Sequence, residues 1–477
     1  MTASLARIEG RRLARSPLLW LGVVLGVASV TPALWSTWPV LAGDDLLAYQ
    51  TSLLVGAGAV WAGAWLALRD RTSGATDLLA VTPTAPWRLW WARLAALASV
   101  IAAVFALLFA AALAVSALRG GRGMPDLRLL ADGVLGVVLG GLVGVAVGRL
   151  SGSRLVAVLA GALWYLLGMV SADPWGQRLA PVLVPTQPLS AEFGLLPDPL
   201  WPHLGYLLGL VLLVGVLLVG LAARGDGQRP HLAPVVVAVV AGLVLAGAGG
   251  GRLAALPEGL IALGPDRTHW KPAAEADQVL ADPSYVYPQD GRATSCAGDA
   301  NLSVCVYPAY GTRLARRQHQ ALQPAAGLLT GLPGTPTRAR MVPISVAWCR
   351  AADEVQIWEQ ILRDLSPRRI VEAYLTCALG QSDDLDQHGS SALDPQDVVR
   401  LWALVASGTI TTGELQGAAQ GDDIPELMQT WASPETAAAA LAMAQLPADQ
   451  VRAELAPLWD RLRAGTLSIS QLPGQRP

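Results

Sequence analysis

Lysine is almost missing from this chain. Lys271 is the single lysine among 34 basic residues, the rest being arginine. The phosphate-binding loop GxxxxGK[ST] needs a Gly-Lys pair, and the one lysine follows Trp270. ATP hydrolysis by that route is therefore excluded. Charge of either sign is scarce, at 15% of residues against 53% hydrophobic, which is too apolar for an ordinary soluble protein. Five histidines (His203, His231, His269, His319, His388) form no HExxH and no zinc spacing with cysteine, and no Gly-x-Ser-x-Gly occurs. The usual signatures of a zinc site or a serine hydrolase are thus lacking, and no catalytic or metal-ligating set is expected. Neither half carries the dense basic patch of a nucleic-acid binder. Cysteine is absent from the first half altogether.

What is present divides the chain in two. Residues 1–251 hold 16 arginines and 11 acids, a net of +5, whereas residues 252–477 hold 18 basic and 25 acidic residues, a net of −7. A membrane span needs about 20 apolar residues. Seven segments of the first half qualify: Leu18–Trp38, Leu46–Leu68, Leu94–Leu118, Gly133–Gly148, Leu155–Ser171, Leu204–Ala223 and Leu232–Gly250, none holding Asp, Glu, Lys or Arg. The glycine run Gly136, Gly140, Gly141, Gly144, Gly148 favours close helix packing. The expected fold is a membrane all-α bundle over residues 18–250, a linker over 251–280, and an α-rich α+β domain over 281–477. Asp132, just ahead of the fourth segment, stands four residues after Arg128 and reads as half of a boundary ion pair rather than as a membrane proton relay.

Arginine placement sets the direction of the spans. With the N-terminus inside, the cytoplasmic segments carry twelve arginines and the outer loops four: Arg119, Arg122, Arg128 and Arg178. The first span follows a basic start but is longer than a signal core, so it is expected to be retained. Residues 1–17 are expected to lie as an interfacial helix on membrane lipid, with Arg7, Arg11, Arg12 and Arg15 toward headgroups and Leu5, Ile8 and Leu13 toward the tails. Seven spans would put the C-terminal domain outside the cytoplasmic membrane. Its four cysteines (Cys296, Cys305, Cys349 and Cys377) suit two disulfides in an oxidising compartment. Three pairings are possible, and Cys296–Cys305 with Cys349–Cys377 is preferred because short loops close most easily.

The stretch from Arg69 to Arg93, on the expected cytoplasmic side, is the most informative loop. Asp77-Leu78-Leu79 reads as a short helix capped by Thr76, ended at Thr82-Pro83, with Trp87, Trp90 and Trp91 entering the next span. An acid and two exposed leucines on such a helix suit a partner's groove. The loop resembles the coupling segment of permeases of the type-2 class of ABC exporters, with Asp70, Gly74, Asp77, Leu78, Leu79, Thr82 and Pro83 in the matching places. Glu9, Arg12 and Arg15-Ser16-Pro17 resemble that family's opening helix, Gly148-Arg149 with Ser153-Arg154 its later cytoplasmic loop, and the proline-rich residues 172–203 with His203-Leu-Gly-Tyr206 its outer segment and last helix. The resemblance covers about residues 1–224. It implies a dimer of permease chains, identical or not, and a separate ATPase subunit that binds the ATP and Mg2+, none being bound by this chain. The seventh span and the C-terminal domain depart from the family pattern. A second reading, a membrane-anchored receptor or sensor, has no need of Asp77-Leu78-Leu79.

In the second half, Ser295–Pro308 reads as a hairpin, Thr312–Leu329 as an amphipathic helix and Arg338–Trp348 as a strand. Helices are expected over Asp353–Leu379, with room for a break at Ser366-Pro367, over Pro395–Ser407, from a cap at Ser433-Pro434-Glu435, and over Ala448–Ala464.

Overall fold

The computed structural model describes residues 2–72, 86–121, 125–170, 197–223, 232–254, 260–263, 269–272, 295–306, 310–342, 349, 354–358, 367–380, 394–421 and 433–475. They fall into two compact units. One comprises Met1–Trp35, Pro39–Ala262 and Asp266–Ala273, and the other Ser36–Trp38, Leu263–Pro265 and Ala274–Pro477.

The first unit is helical: α1 (Thr2–Leu13), α2 (Pro17–Ser36), α3 (Leu41–Thr72), α4 (Pro86–Leu118), α5 (Leu127–Ser151), α6 (Arg154–Val170), α7 (Pro197–Ala223) and α8 (Leu232–Ala254). Among the described residues, six helices are long and apolar enough to cross a membrane, within α2, α3, α4, α5, α7 and α8. The chain is thus a helical, multi-pass membrane protein. α6, at 17 residues, is the shorter apolar helix that answers to the fifth expected span.

α3 is the central helix. Of its apolar window 83% is buried, against 61% for α5 and 17% for α4. Small residues make this possible, because α3 and α5 meet backbone to backbone. A methyl placed on Gly144 would stand 2.1 Å from the Val60 carbonyl oxygen, and one on Gly63 2.1 Å from that of Gly141. The glycine run is therefore a helix-packing seam. α6 lies antiparallel to α3 and touches α5 as well, Trp164 meeting both Gly56 and Gly140. Trp61 Nε1 donates to the Val158 oxygen at 3.0 Å, Gly56 faces Trp164, and Gly168 faces Leu53. α7 and α8 pair through Gly209 against Gly242 and Ala246, and through Gly249 against Pro202 and Tyr206.

Two expectations for this unit are corrected. Arg128 does not pair with Asp132. Its guanidinium turns back to Asp126, the N-cap of α5, at 2.5 Å, where it stays one-third exposed. A pair with Asp132 would have drawn the cation into the bundle, because Asp132 is fully buried. Nor does α1 lay Leu13 toward lipid. Leu13 is buried in the bundle core and Ile8 is exposed, while Arg7, Arg11, Arg12 and Arg15 are all exposed.

Inside the stretch expected to be a linker, β1 (Leu260–Leu263) pairs with β2 (His269–Pro272). The second unit carries a four-stranded sheet in the order β3 (Ser295–Gly298), β4 (Ser303–Val306), β5 (Arg338–Val342), β6 (Glu354–Trp358). β3 and β4 form the expected antiparallel hairpin, and β4–β5 and β5–β6 are parallel. Parallel neighbours need a crossover, which α9 (Gly311–Leu329) supplies between β4 and β5. Its buried stripe of Leu314, Gln318, Leu322, Ala325 and Leu329 follows the helical period. The Asp299 carboxylate turns the hairpin by accepting from the Asn301 and Leu302 amides at 2.9 and 3.0 Å, and these bonds hold its pKa below the usual range.

The remaining helices are α10 (Pro367–Ala378), α11 (Pro395–Ala406), α12 (Thr412–Gln420), α13 (Pro434–Ala444), α14 (Ala448–Leu455) and α15 (Trp459–Arg463). The helix expected from Asp353 is instead β6 followed by α10. Val355 and Ile357 alternate into the core, and their period of two was hidden beside the helix that starts at Pro367. The helix expected over Ala448–Ala464 is interrupted by a 3-10 turn at Ala456–Leu458, where Pro457 sits. Ser433 caps α13 as expected, accepting from the Thr436 amide, with Pro434 at the first helical position.

The disulfides are Cys296–Cys305 and Cys349–Cys377. Cys296 and Cys305 are also direct partners across β3–β4. Replacing both by serine should destabilise the second unit by about 2 kcal/mol, since a 9-residue separation leaves little loop entropy to remove. Amide exchange across the β3–β4 hairpin in the full-length protein would measure it.

Candidate functional site

The helix ends of the first unit sort by charge. At one end the Glu9 carboxylate of α1 is 3% exposed and takes both arms of Arg69, at 2.8 and 3.1 Å. Arg93 Nε is 4.0 Å from the same carboxylate, and Arg12 is 3.8 Å away. Arg93 and Arg149 both stand over the Trp90 ring, at 5.4 and 4.4 Å, and Arg154 stands over Trp65 at 5.2 Å. Arg149 also donates to the Leu218 oxygen at 3.0 Å, which puts the last turns of α7 at this end. At the opposite end, Asp44 and Asp45 open α3. Ser116 and the Val40 amide donate to Asp44, and the Asp126 amide donates to Asp45 at 2.8 Å. Arginines thus gather around Glu9 at one end of the bundle, and Asp44, Asp45 and Asp126 lie at the other, beside Arg119 and Arg128.

Glu9 is hydrogen-bonded to the last turn of α3 and stands at ion-pair distance from Arg93 in the first turns of α4, the two helices that flank the Arg69–Arg93 loop. A buried carboxylate shared by cations from two helices holds both in one geometry, and removal of the carboxylate would leave Arg93, itself 5% exposed, without that anion. Of the residues singled out in the loop, Gly74, Asp77, Leu78, Leu79, Thr82 and Pro83 lie outside the described residues. Asp70 is in the last turns of α3, with its side chain likewise outside the description. No family model matches the chain, and no curated protein or solved structure does either.

Two further features lie deeper in this unit. An apolar groove of about 550 Å3 runs between α4, α5, α7 and α8, walled by Trp91, Leu94, Leu142, Val211, Val219 and Val235. It is the kind of space an alkyl chain fills. The second feature is polar. Asp132 of α5 accepts from the Tyr49 hydroxyl of α3 at 2.7 Å and faces His203 Nδ1 of α7 at 2.7 Å, all three side chains being buried. Sequence reasoning weighed only the local neighbour Arg128. The available signal was a carboxylate in the second turn of an apolar helix and a histidine opening another, both of which need partners once buried.

Proposed function

We propose that the chain is the permease subunit of an ATP-driven ABC exporter of the type-2 class, multi-pass in the cytoplasmic membrane. A separate ATPase would bind the ATP and Mg2+, and a second permease chain would complete the dimer. The Glu9 clamp carries this reading. It braces both flanks of the loop whose Asp77-Leu78-Leu79 pattern resembles a coupling segment, so a push on that loop is passed to α1, α3 and α4 together. In such a machine the partner's closure shifts helices as rigid bodies, and a braced loop is what transmits the shift. The apolar groove supports a hydrophobic cargo.

The same reading takes the arginine-rich end as cytoplasmic. α5 ends and α6 begins at that end, while α7 starts at the other, so the chain crosses between them. α6, at about 25 Å, covers most of that distance. Seven passes follow. α8 then ends opposite the cytoplasm, and the two disulfides of the second unit fit an oxidising, extracytoplasmic side.

The test is purification from the native membrane in mild detergent, with mass spectrometry of accompanying proteins. An ATPase subunit is expected with the wild type and should fall at least tenfold with Leu78→Arg/Leu79→Arg. A folded, abundant wild-type protein that brings down no ATPase would sink the reading and leave a receptor or sensor in its place.

A further inference from the structure

The buried Asp132–His203–Tyr49 group is used by nothing derived so far. Its geometry ties three helices at one point. Tyr49 comes from α3, Asp132 from α5 and His203 from α7, and both links to the carboxylate measure 2.7 Å. Asp132 is 0% exposed and His203 1%. The neighbours are apolar or already engaged. A methyl on Gly133 would meet the Phe105 ring of α4 at 2.4 Å and the Tyr49 ring at 3.4 Å, so aromatic rings close that side. The Tyr206 ring lies 6.4 Å from that of His203. Arg128 is held by Asp126, and Asp44 and Asp45 are bonded to Ser116 and to the Asp126 amide. Among the described residues, His203 is the only cation-forming partner that Asp132 has.

His203 Nε2 is buried and meets no hydrogen-bond partner among the described residues. An ionised Asp132 makes Nδ1 a donor, and the neutral ring then leaves Nε2 a bare lone pair and the site a net charge of −1. A lone negative charge in an apolar bundle is costly. One proton on Nε2 removes it. The carboxylate keeps both of its hydrogen bonds, no covalent bond breaks, and the site becomes a neutral imidazolium–carboxylate pair. A second proton, on the carboxylate, would restore a net charge and disrupt the bonds from Tyr49 and His203.

We propose that the Asp132–His203 pair is a proton-binding site inside the bundle, taking up one proton at Nε2, and that this proton tightens the junction of α3, α5 and α7. The site does not depend on the permease reading, because it rests on the buried geometry alone. Proton release would loosen α7 against α5 at the acidic end and make helix arrangement in this unit depend on pH.

The experiment is nitrogen NMR of the full-length protein, labelled with 15N-histidine, in lipid nanodiscs between about pH 5 and pH 9. His203→Gln assigns the signal among the five histidines. The His203 signal of the wild type, assigned in this way, is expected to pass between neutral and imidazolium forms within that range. In Asp132→Asn its proton affinity should fall at least tenfold, since the balancing charge is gone. Tyr49→Phe should raise it, because the carboxylate then keeps more of its charge for the ring. Tyr49→Phe also keeps the question answerable if Asp132→Asn fails to fold. A His203 signal that stays neutral throughout overturns the proposal, and so does one that titrates identically in wild type, Asp132→Asn and Tyr49→Phe.

Discussion

Gly144→Val should leave the membrane unit unable to hold its central helix, with a loss of more than about 3 kcal/mol. The new side chain begins with a carbon that would sit 2.1 Å from the Val60 carbonyl oxygen and 2.8 Å from its Cα. Both are backbone atoms of α3, which no rotamer change can move. The helices must separate, and a gap opens along the seam that also contains Gly63 against Gly141 and Gly148 against Ala64. Dispersion contacts between close helices fade within an ångström of separation, and in lipid they are a principal force holding helices together. Gly247→Ala is the control, since nothing lies within 4 Å of a methyl there. Thermal unfolding in detergent, followed by monodispersity, separates the two. A Gly144→Val protein that melts with the wild type would mean that α3 and α5 do not meet this closely.

Glu372→Gln should stabilise the second unit at pH 8 by about 3 kcal/mol and leave it unchanged at pH 4. Glu372 lies on α10, 4% exposed, and burial raises its pKa from 4.5 to about 7 against the opposing pull of Arg400, Arg368 and Arg369. The unfolded chain gives up this proton near 4.5 and the folded chain near 7, so between those values the folded state binds more protons. Stability therefore falls as pH rises through that window, and the full penalty stands above it. Glutamine resembles the protonated acid and removes the penalty. Arg400, whose own pKa burial lowers, keeps Asp397 as its partner. Amide exchange along α10 in the full-length protein at the two pH values gives the comparison. Equal protection of variant and wild type at pH 8 would show that Glu372 finds solvent or a closer cation.

The helical spans were readable because each is a long apolar run with few alternatives, and the glycine seam because small residues at helical spacing have few other uses in a membrane. The disulfide pairing followed from separations of 9 and 28 residues. β6 was not readable, because five residues before a proline-started helix give too short a pattern to separate period two from 3.6. α12 was missed, although Thr411 and Glu414 form a capping box, because Gly413 and Gly417 weaken the helix signal between them. The Glu9 clamp and the Asp132–His203 pair lay beyond sequence reasoning for one reason. Their partners stand 60 and 71 residues away, and only helix packing decides which distant groups share a buried spot. The coupling-like residues from Gly74 to Pro83 stay as the sequence states them.

The second unit is closed by bonds between distant parts of the chain. Trp459 donates to the Pro333 oxygen at 2.9 Å across 126 residues, and the Gln396 amide donates to the Leu462 oxygen at 2.9 Å across 66. Parallel strands β4, β5 and β6 add further nonlocal pairings. Such contacts form late, because long loops must close first. Both disulfides join residues that emerge well before Trp459. The hairpin and α10 are thus fastened while α15 is still to arrive, and the Pro333 carbonyl waits for Trp459. An oxidant encountered early then governs how fast this unit matures and how much of it is lost to aggregation on the way, separately from how stable it is once complete.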